Sequence, residues 1–277
     1  MHILVVGGGM GGTILANNLA RRLSGELEQG SSKITMLSAS DKHMYQPGLL
    51  YVAVGKMSTS ELYRDQKSLL EPSIDFHVDP VEKFDLDNNS VTTKSGKKIS
   101  YDIICIATGS RGNAAGIPGL AENACQFYTE ADALAMYKKL QKFEGGKVVV
   151  ATGVPHKCPM SPLEITFFLI DYFKKRGIWD KVDLHYTYPI GRVHSLEPVA
   201  NWAAPEFDKE GVTYETLFNM KEVVPGKVIS EEDSSAEFDL LVTVPPHKGM
   251  QVIEDNELGK GGFIPTDKKK LNMEGRD

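Results

Sequence analysis

Residues 3–23, with the sequence ILVVGGGMGGTILANNLARRL, decide the fold of this chain. The apolar run at 3–6 predicts a buried strand, and leucines spaced four residues apart after it predict a helix. Between these two segments, Gly7, Gly9 and Gly12 fit the pattern G-x-G-x-x-G. The stretch therefore predicts a strand, a tight turn and a helix in immediate succession.

The position of these glycines predicts a dinucleotide site. A second apolar segment, KITMLS, begins near Lys33, and a glycine pattern inside such a strand–helix–strand unit is a strong signal for dinucleotide binding. The first glycine permits the turn, the second lets the backbone approach a pyrophosphate, and the third lets the helix pack closely. The helix N-terminus then offers free N–H groups to the anion. No acidic residue ends the second strand, so we expect Ser38 to contact the ribose there.

Composition and charge exclude several classes of protein. The chain has 277 residues, 41% of them hydrophobic and 25% charged, which is enough for one large or two medium globular domains. A net charge of −6 argues against a general nucleic-acid role, since polyanion binding needs a basic face. No apolar run approaches the roughly 18–20 residues of a membrane span. The N-terminal sequence has no basic leader or cleavage site, so we expect a cytoplasmic protein.

The chain has three cysteines, and this low, odd number does not suggest a disulfide scaffold. There is no CxxC motif and no Cys/His group with zinc-ligand spacing, so the sequence predicts no metal site. Cys105 lies between Ile104 and Ile106 in a predicted strand. We interpret it as a small buried hydrophobic residue.

The rest of the chain predicts two nucleotide-type units. The segments IDFHVD, EKFDLD, SVTTKS and KISYDIICIATG alternate between 74 and 109, separated by NN and SG turns. We interpret them as an antiparallel meander inserted before a buried parallel strand. A second strand–turn–helix unit follows at 147–175. The predicted fold class is α/β, with two Rossmann-like units and an inserted β-meander: a first domain at 1–112 plus 241–277, and a second at 113–240.

The turn of the second unit is unusual. After KVVVATGV a glycine-rich loop would be expected, but the sequence has Gly153 alone and then PHKCPMSPLE at 155–164. Bulk and prolines occupy the space that a pyrophosphate needs. We therefore expect this unit to have kept the fold and lost NAD(P)H binding.

The same loop carries a candidate nucleophile. SPLEITFFLIDYFKK predicts a helix with Ser161 as its cap and Glu164 completing a capping box. This arrangement places Cys158 just before a helix N-terminus, with Lys157 and His156 beside it in sequence. Helix N-termini and nearby cations stabilise a thiolate, which is the nucleophilic form of cysteine. The sequence therefore favours a reactive Cys158 over a structural one.

Together, VVGGGMGG, YQPGLLYVA, ATGSR, PHKCPMSPLE and DLLVTVPPHKG resemble the sulfide:quinone oxidoreductase family. These are FAD-dependent members of the pyridine nucleotide–disulfide class, and the resemblance covers nearly the whole chain, with K-C-P-x-x-P-x-E as its discriminating part. It implies glutathione-reductase-type FAD/NAD(P)-binding units, with FAD in the first. It also implies oxidation of sulfide by a redox-active Cys158 next to FAD, transfer of two electrons to a quinone, and polysulfide or sulfur as the product.

The resemblance further implies roles for individual residues. It gives Cys158 and Cys125 catalytic roles, and His156 could assist proton transfer; the alternative for Cys125 is an exposed linker cysteine. Glu164 is more consistent with capping than with acid–base work. The residues expected to bind FAD are Gly7, Gly9, Met10, Gly11, Gly12, Ser38, Tyr45, Pro47, Ala107, Thr108 and Gly109. The implied partners are sulfide and quinone, in a homo-oligomer bound peripherally at the inner face of the cell membrane.

The sequence also departs from the family. We expect a C-terminally truncated chain, because the Gly-Asp segment that returns to the flavin, the usual partner cysteine of Cys158 and the C-terminal quinone region have no counterparts. Cys125 could replace that partner if the two Cα atoms lie within roughly 7 Å. Three alternatives remain open: an NADH:quinone oxidoreductase, which needs a nucleotide loop near Gly153; a cytochrome-linked sulfide dehydrogenase, which would usually be exported; and a flavin-free binding module.

Overall fold

The computed structural model describes residues 1–276 and divides them into two compact units. What we call the first unit comprises Met1–Tyr45, Glu61–Arg111 and the segment from Lys248 onward. The second unit comprises Gln46–Ser60 and Gly112–His247. The predicted domains placed 46–60 and 241–247 in the first domain, whereas in the structure both segments pack within the second unit.

Helices and strands alternate in the segments that build the two parallel sheets, and runs of strands without an α-helix lie at 63–112 and 213–249. The helices are α1 (Met10–Arg22), α2 (Ser24–Glu28), α3 (Gly48–Ala53), α4 (Leu120–Asn123), α5 (Glu130–Lys142), α6 (Ser161–Lys175), α7 (Glu197–Glu210) and α8 (Gln251–Asp255). The strands are β1 (His2–Val6), β2 (Lys33–Ser38), β3 (Lys42–Met44), β4 (Tyr63–Asp65), β5 (Ile74–Val78), β6 (Val81–Asp85), β7 (Ser90–Thr93), β8 (Lys98–Ser100), β9 (Ile103–Ile106), β10 (Ser110–Gly112), β11 (Ala124–Cys125), β12 (Gly146–Thr152), β13 (Val182–Tyr188), β14 (Thr213–Thr216), β15 (Met220–Val224), β16 (Lys227–Ser230), β17 (Ser235–Glu237), β18 (Leu240–Val244) and β19 (His247–Gly249).

The first unit is built on a parallel sheet with the strand order β5-β2-β1-β9. Strand β1 is apolar and buried from Ile3 to Val6 because both of its faces are covered there. Ile3 and Val5 pack in one core with Ala16 of α1, while Leu4 pairs with Val91 of the meander in the other core. The buried face of α1 carries small residues, and of the predicted leucines Leu15 is 36% exposed.

The predicted meander is one strand shorter than the sequence suggested. Strands β6, β7 and β8 form the antiparallel sheet. The segment IDFHVD, which we had assigned to it, forms β5 and pairs in parallel with β2 as an edge strand of the main sheet. The prediction failed because its alternating polar pattern is equally typical of an exposed edge strand.

The second unit contains a parallel sheet with the order β11-β18-β12-β13-β14. A three-stranded antiparallel sheet, β15-β16-β17, covers part of one face, and the sequence had not predicted it. Helix α3 packs on α6 in this unit, with the rings of Tyr51 and Phe168 4.9 Å apart. Just after α3, Lys56 pairs with Asp171 of α6 at 2.7 Å. The α/β fold with two Rossmann-like units is confirmed.

Candidate active site

The glycine turn of the first unit has the geometry that the sequence predicted. Gly7 has a φ of +117°, and a Cβ there would lie 2.3 Å from the carbonyl oxygen of Ala107. A Cβ on Gly12 would lie 1.9 Å from the carbonyl oxygen of Gly7, so this position allows α1 to pack against the turn. Gly9 differs from both, because no heavy atom lies within 4 Å of its Cβ position.

Gly9 opens a cradle at the start of α1. It is the N-cap of this helix, no side chain caps the helix, and its first turn contains no acidic residue. The first N–H groups of α1 are therefore left for an anion, and the helix dipole favours negative charge at this end. An open second glycine in front of an uncapped helix fits a dinucleotide pyrophosphate.

Other predicted residues meet the turn because adjacent parallel strands end at the same edge of the sheet. The N–H of Gly7 donates to the carbonyl of Leu37 in β2 at 2.8 Å. The N–H of Ala107 donates to the carbonyl of Val6 in β1, also at 2.8 Å. A Cβ on Gly8 would lie 2.5 Å from Oγ of Ser38, so that hydroxyl borders the turn. Gly109, which follows β9, has a φ of +80°, and no heavy atom lies within 4 Å of its Cβ position.

Most of the remaining predicted contacts lie on exposed surface. Met10 and Gly11 are exposed in the first turn of α1, and Thr108 is half-buried beside Gly7. Tyr45 is 47% exposed, and its N–H bonds to the carbonyl of Leu62. Pro47 is exposed and stands at the N-cap of α3 in the second unit.

The loop at 153–160 of the second unit packs against the segment that follows β18. A Cβ on Gly153 would lie 2.5 Å from Cδ of Pro246, so a larger residue does not fit. The N–H of Gly153 bonds to the carbonyl of Val244 at 2.8 Å, and the carbonyl of Pro155 accepts from the N–H of His247 at 2.6 Å. Prolines and backbone hydrogen bonds thus fix the loop that carries the cysteine.

Cys158 lies three residues before α6, as predicted, but the predicted cap is wrong. Helix α6 starts at Ser161 with Met160 as its N-cap, and no side chain caps it. The hydroxyl of Ser161 instead donates to the carbonyl of Cys158 at 3.0 Å, and Glu164 is exposed with its N–H bonded to the carbonyl of Met160. Sequence spacing could not separate these arrangements, because they differ by one residue in where the helix begins.

Two tyrosines that the sequence analysis did not identify flank the cysteine loop. The hydroxyl of Tyr128 lies 2.6 Å from that of Ser161. Burial raises the pKa of Tyr128 far above its usual range, the Ser161 bond lowers it, and a negative charge on Cys158 raises it further. Burial also raises the pKa of Tyr188, with the Cys158 charge again adding to the rise. Tyr188 ends β13, so its place at the carboxyl edge of the sheet was a signal available in the sequence.

His156 is held in one orientation. Its Nδ1 lies 3.1 Å from the carbonyl of Gly153, which only accepts, so Nδ1 carries the hydrogen and Nε2 is the acceptor. Nε2 lies 3.4 Å from the hydroxyl of Tyr188. Burial lowers the pKa of His156, the Gly153 carbonyl raises it, and the charge of His194 lowers it. His156 is therefore neutral at pH 7 and is able to accept a proton at Nε2.

Lys157 brings a positive charge to the same loop. Its Nζ donates to Oε1 of Gln46, which precedes α3 in the second unit. Loss of water lowers the pKa of Lys157, while a thiolate at Cys158 raises it. The second effect indicates mutual attraction between this ammonium and a Cys158 thiolate.

The other two cysteines lie in more apolar settings. Cys125 ends β11 and is 5% exposed, so it is not the exposed linker cysteine of the alternative interpretation. Burial raises its pKa, and the nearby positive charge of Lys139 lowers it. Cys105 packs against the core beside β1, and burial raises its pKa as well. All three cysteines are free thiols in the structure.

We expect Cys158 to be the most reactive thiol of the folded protein. Burial raises the pKa of Cys105 and Cys125, so each holds less thiolate at pH 7.5 than an ordinary cysteine does. We expect their alkylation to be at least roughly tenfold slower than that of Cys158, which lies just before a helix N-terminus. Mass mapping after a timed iodoacetamide pulse measures the three rates, and denatured protein provides the control in which they converge. Equal rates in the folded protein would contradict the assignment.

The two Rossmann-like units, the open glycine turn and the cysteine loop define a dinucleotide-binding oxidoreductase. A family model described as pyridine nucleotide-disulphide oxidoreductase matches residues 1–269. The chain belongs to this family, whose members are oxidoreductases that bind FAD.

Several proteins that resemble this chain are named for sulfide and quinone. It is 26% identical over 285 residues to the mitochondrial sulfide:quinone oxidoreductase of Mus musculus, covering 98% of this chain and 62% of that protein. It is 31% identical over 250 residues to the sulfide-quinone reductase of Aquifex aeolicus, covering 82% of this chain and 56% of that protein. The X-ray structure of the Aquifex aeolicus enzyme matches with a TM-score of 0.79 at 26% identity, over 91% of this chain and 60% of the other. The chain thus spans about 60% of that structure's length.

Proposed function

We propose that this chain is a flavoprotein, or the main part of one, that oxidises sulfide through Cys158 and passes two electrons to a quinone, giving polysulfide or sulfur. The cysteine loop carries the proposal, because it stands where a dinucleotide-binding unit would otherwise hold a pyrophosphate. The similarity to proteins named for sulfide and quinone supports it.

The first unit would hold FAD through the glycine turn, the N-terminus of α1, Ser38 and Gly109. The open Cβ position of Gly9 and the uncapped helix support this assignment. Ser38 would hydrogen-bond the ribose in place of the usual acidic residue. Ala107, Thr108, Met10, Gly11, Tyr45 and Pro47 are further proposed contacts. When bound, FAD supplies a two-electron acceptor.

Cys158 would take up the sulfur of sulfide. The half-reaction joins the sulfur of hydrosulfide to the Cys158 sulfur of a thiolate, giving a persulfide anion with release of one proton and two electrons. The position before α6 and the charge of Lys157 favour the thiolate that this step needs. Cys125 is proposed as an auxiliary thiol on the resemblance alone.

His156 is proposed to accept the released proton. Its Nε2 is the unprotonated nitrogen and lies 3.4 Å from the hydroxyl of Tyr188, so this hydroxyl could relay the proton. A lowered pKa keeps the imidazole neutral and ready to accept. The ring is already fixed by its bond to Gly153, so no reorientation is required.

The quinone, peripheral association with a membrane and a homo-oligomeric state are proposed from the resemblance. Among residues 1–276, the structure contains no helix of the length and apolar character needed to cross a bilayer.

The direct test is the visible spectrum of the anaerobic protein before and after sulfide is added, with NADH added to a separate sample. We expect a flavin band near 450 nm that sulfide bleaches and NADH does not. Bleaching by NADH alone would favour the NADH:quinone alternative. A folded protein that takes up no flavin would favour the binding module.

A further inference from the structure

A buried glutamine lies beneath the glycine turn of the first unit. Gln66 precedes a short helical turn and is 1% exposed. Its Nε2 donates to Oγ1 of Thr13 at 2.8 Å, its Oε1 lies 3.0 Å from Nδ1 of His43, and its N–H bonds to the carbonyl of Asp41 at 2.7 Å. The side chain therefore links α1 to the segment after β2 through buried polar contacts.

Both partners of Gln66 reach the same backbone oxygen. Nδ1 of His43 lies 3.2 Å from the carbonyl oxygen of Gly8, and Oγ1 of Thr13 donates to it at 3.4 Å. The oxygens of Gly8 and Gln66 only accept from His43, so Nδ1 of His43 carries the hydrogen. The Gly8 carbonyl therefore accepts from His43 and from Thr13, and each of these two side chains is hydrogen-bonded to Gln66.

The orientation of this carbonyl decides where the next N–H points. In a planar trans peptide, the C=O of Gly8 and the N–H of Gly9 point in opposite directions. Because the carbonyl is held toward the buried cluster, the N–H of Gly9 is directed away from it. Gly9 is the exposed residue that opens the cradle at the start of α1.

We propose that Gln66, acting through His43 and Thr13, is a positioning residue that presets the glycine turn for the pyrophosphate of the cofactor. The three side chains fix the Gly8–Gly9 peptide before the ligand arrives, so binding does not have to order it. The proposal rests on the proposed function only in taking FAD as the ligand.

The test compares Gln66→Leu with Asn17→Ala in the full chain. Asn17 also ties α1 to the segment after Gln66, donating to the carbonyl of Leu69 at 2.8 Å and accepting from the N–H of Glu71 at 2.9 Å, with no bond to the turn. Asn17→Ala loses two hydrogen bonds between α1 and the segment at 69–71, which matches in number the loss of the Gln66 bonds to Thr13 and His43. We expect the Kd for FAD, measured by flavin fluorescence, to rise at least about tenfold in Gln66→Leu and to change less than about twofold in Asn17→Ala.

Thermal unfolding of the two apo variants separates positioning from general loss of stability. Similar melting temperatures with different FAD affinities support positioning. If Gln66→Leu does not fold, the near-isosteric Thr13→Val, which removes the hydroxyl between Gln66 and Gly8, decides instead, with a rise of at least about threefold expected.

Equal FAD affinity in wild type and the deciding variant overturns this inference and leaves the proposed function intact. An equal loss of affinity in Asn17→Ala also overturns it, because the effect would then be structural. A folded wild type that binds no FAD overturns both the cofactor assignment and the positioning role.

Discussion

Replacing Cys158 with serine should reduce the rate of sulfide-dependent flavin bleaching by at least about 10³-fold, because the step loses its nucleophile. A serine hydroxyl is close in size but is not ionised at neutral pH and forms no persulfide. The hydroxyl of Ser161 bonds to the backbone carbonyl of residue 158 rather than to the thiol, so the start of α6 should remain intact. Stopped-flow absorbance at saturating sulfide measures the rate.

Cys105→Ser is the matched control. It makes the same chemical change in the first unit, at a thiol that packs against the core and has a raised pKa. We expect its bleaching rate to stay within about threefold of wild type, with a small loss of stability from burying a hydroxyl. Full bleaching in Cys158→Ser would remove this residue from the mechanism, whatever the control showed.

Replacing Gly9 with alanine should abolish most FAD binding without unfolding the protein. The backbone at Gly9, with φ −76° and ψ −175°, suits any residue, and no heavy atom lies within 4 Å of the new Cβ. The added methyl enters the space proposed for the pyrophosphate. Overfilling a fitted site costs about 1–3 kcal/mol, which corresponds to a Kd for FAD raised roughly 5- to 150-fold.

Gly12→Ala provides the contrasting result. Its Cβ would lie 1.9 Å from the carbonyl oxygen of Gly7. The substitution therefore forces the turn and α1 apart even in the protein without ligand. We expect a lower melting temperature for apo Gly12→Ala and an unchanged one for apo Gly9→Ala, both by circular dichroism. Wild-type FAD affinity in Gly9→Ala would show that the cofactor does not approach this glycine.

Local patterns were sufficient to predict the two sites in outline. The glycine turn and the loop with Cys158 were both identified from their place between a strand and a helix, and both form in the structure. Local sequence patterns gave the wrong prediction where the same pattern is compatible with two different structures. The segment at 74–78 is a parallel edge strand rather than part of the meander, and Ser161 bonds back to Cys158 rather than capping α6.

The sequence by itself determined the α/β class, the glycine turn and the cysteine ahead of a helix, because each depends on residues within about 30 positions of one another. Only the tertiary structure placed Gln66 against Thr13, 53 residues earlier, and Tyr188 against His156, 32 residues earlier. Nothing in the residue type of Gln66 indicates its partner, and the place of Tyr188 at the end of a strand indicates the edge of the sheet but not the partner. The hydroxyl of Tyr188 meets His156 because β12 and β13 are adjacent parallel strands whose carboxyl ends lie at one edge of the sheet. Gln66 instead follows β4, which pairs with β3 outside the parallel sheet, so its contact with α1 depends on packing across the whole unit.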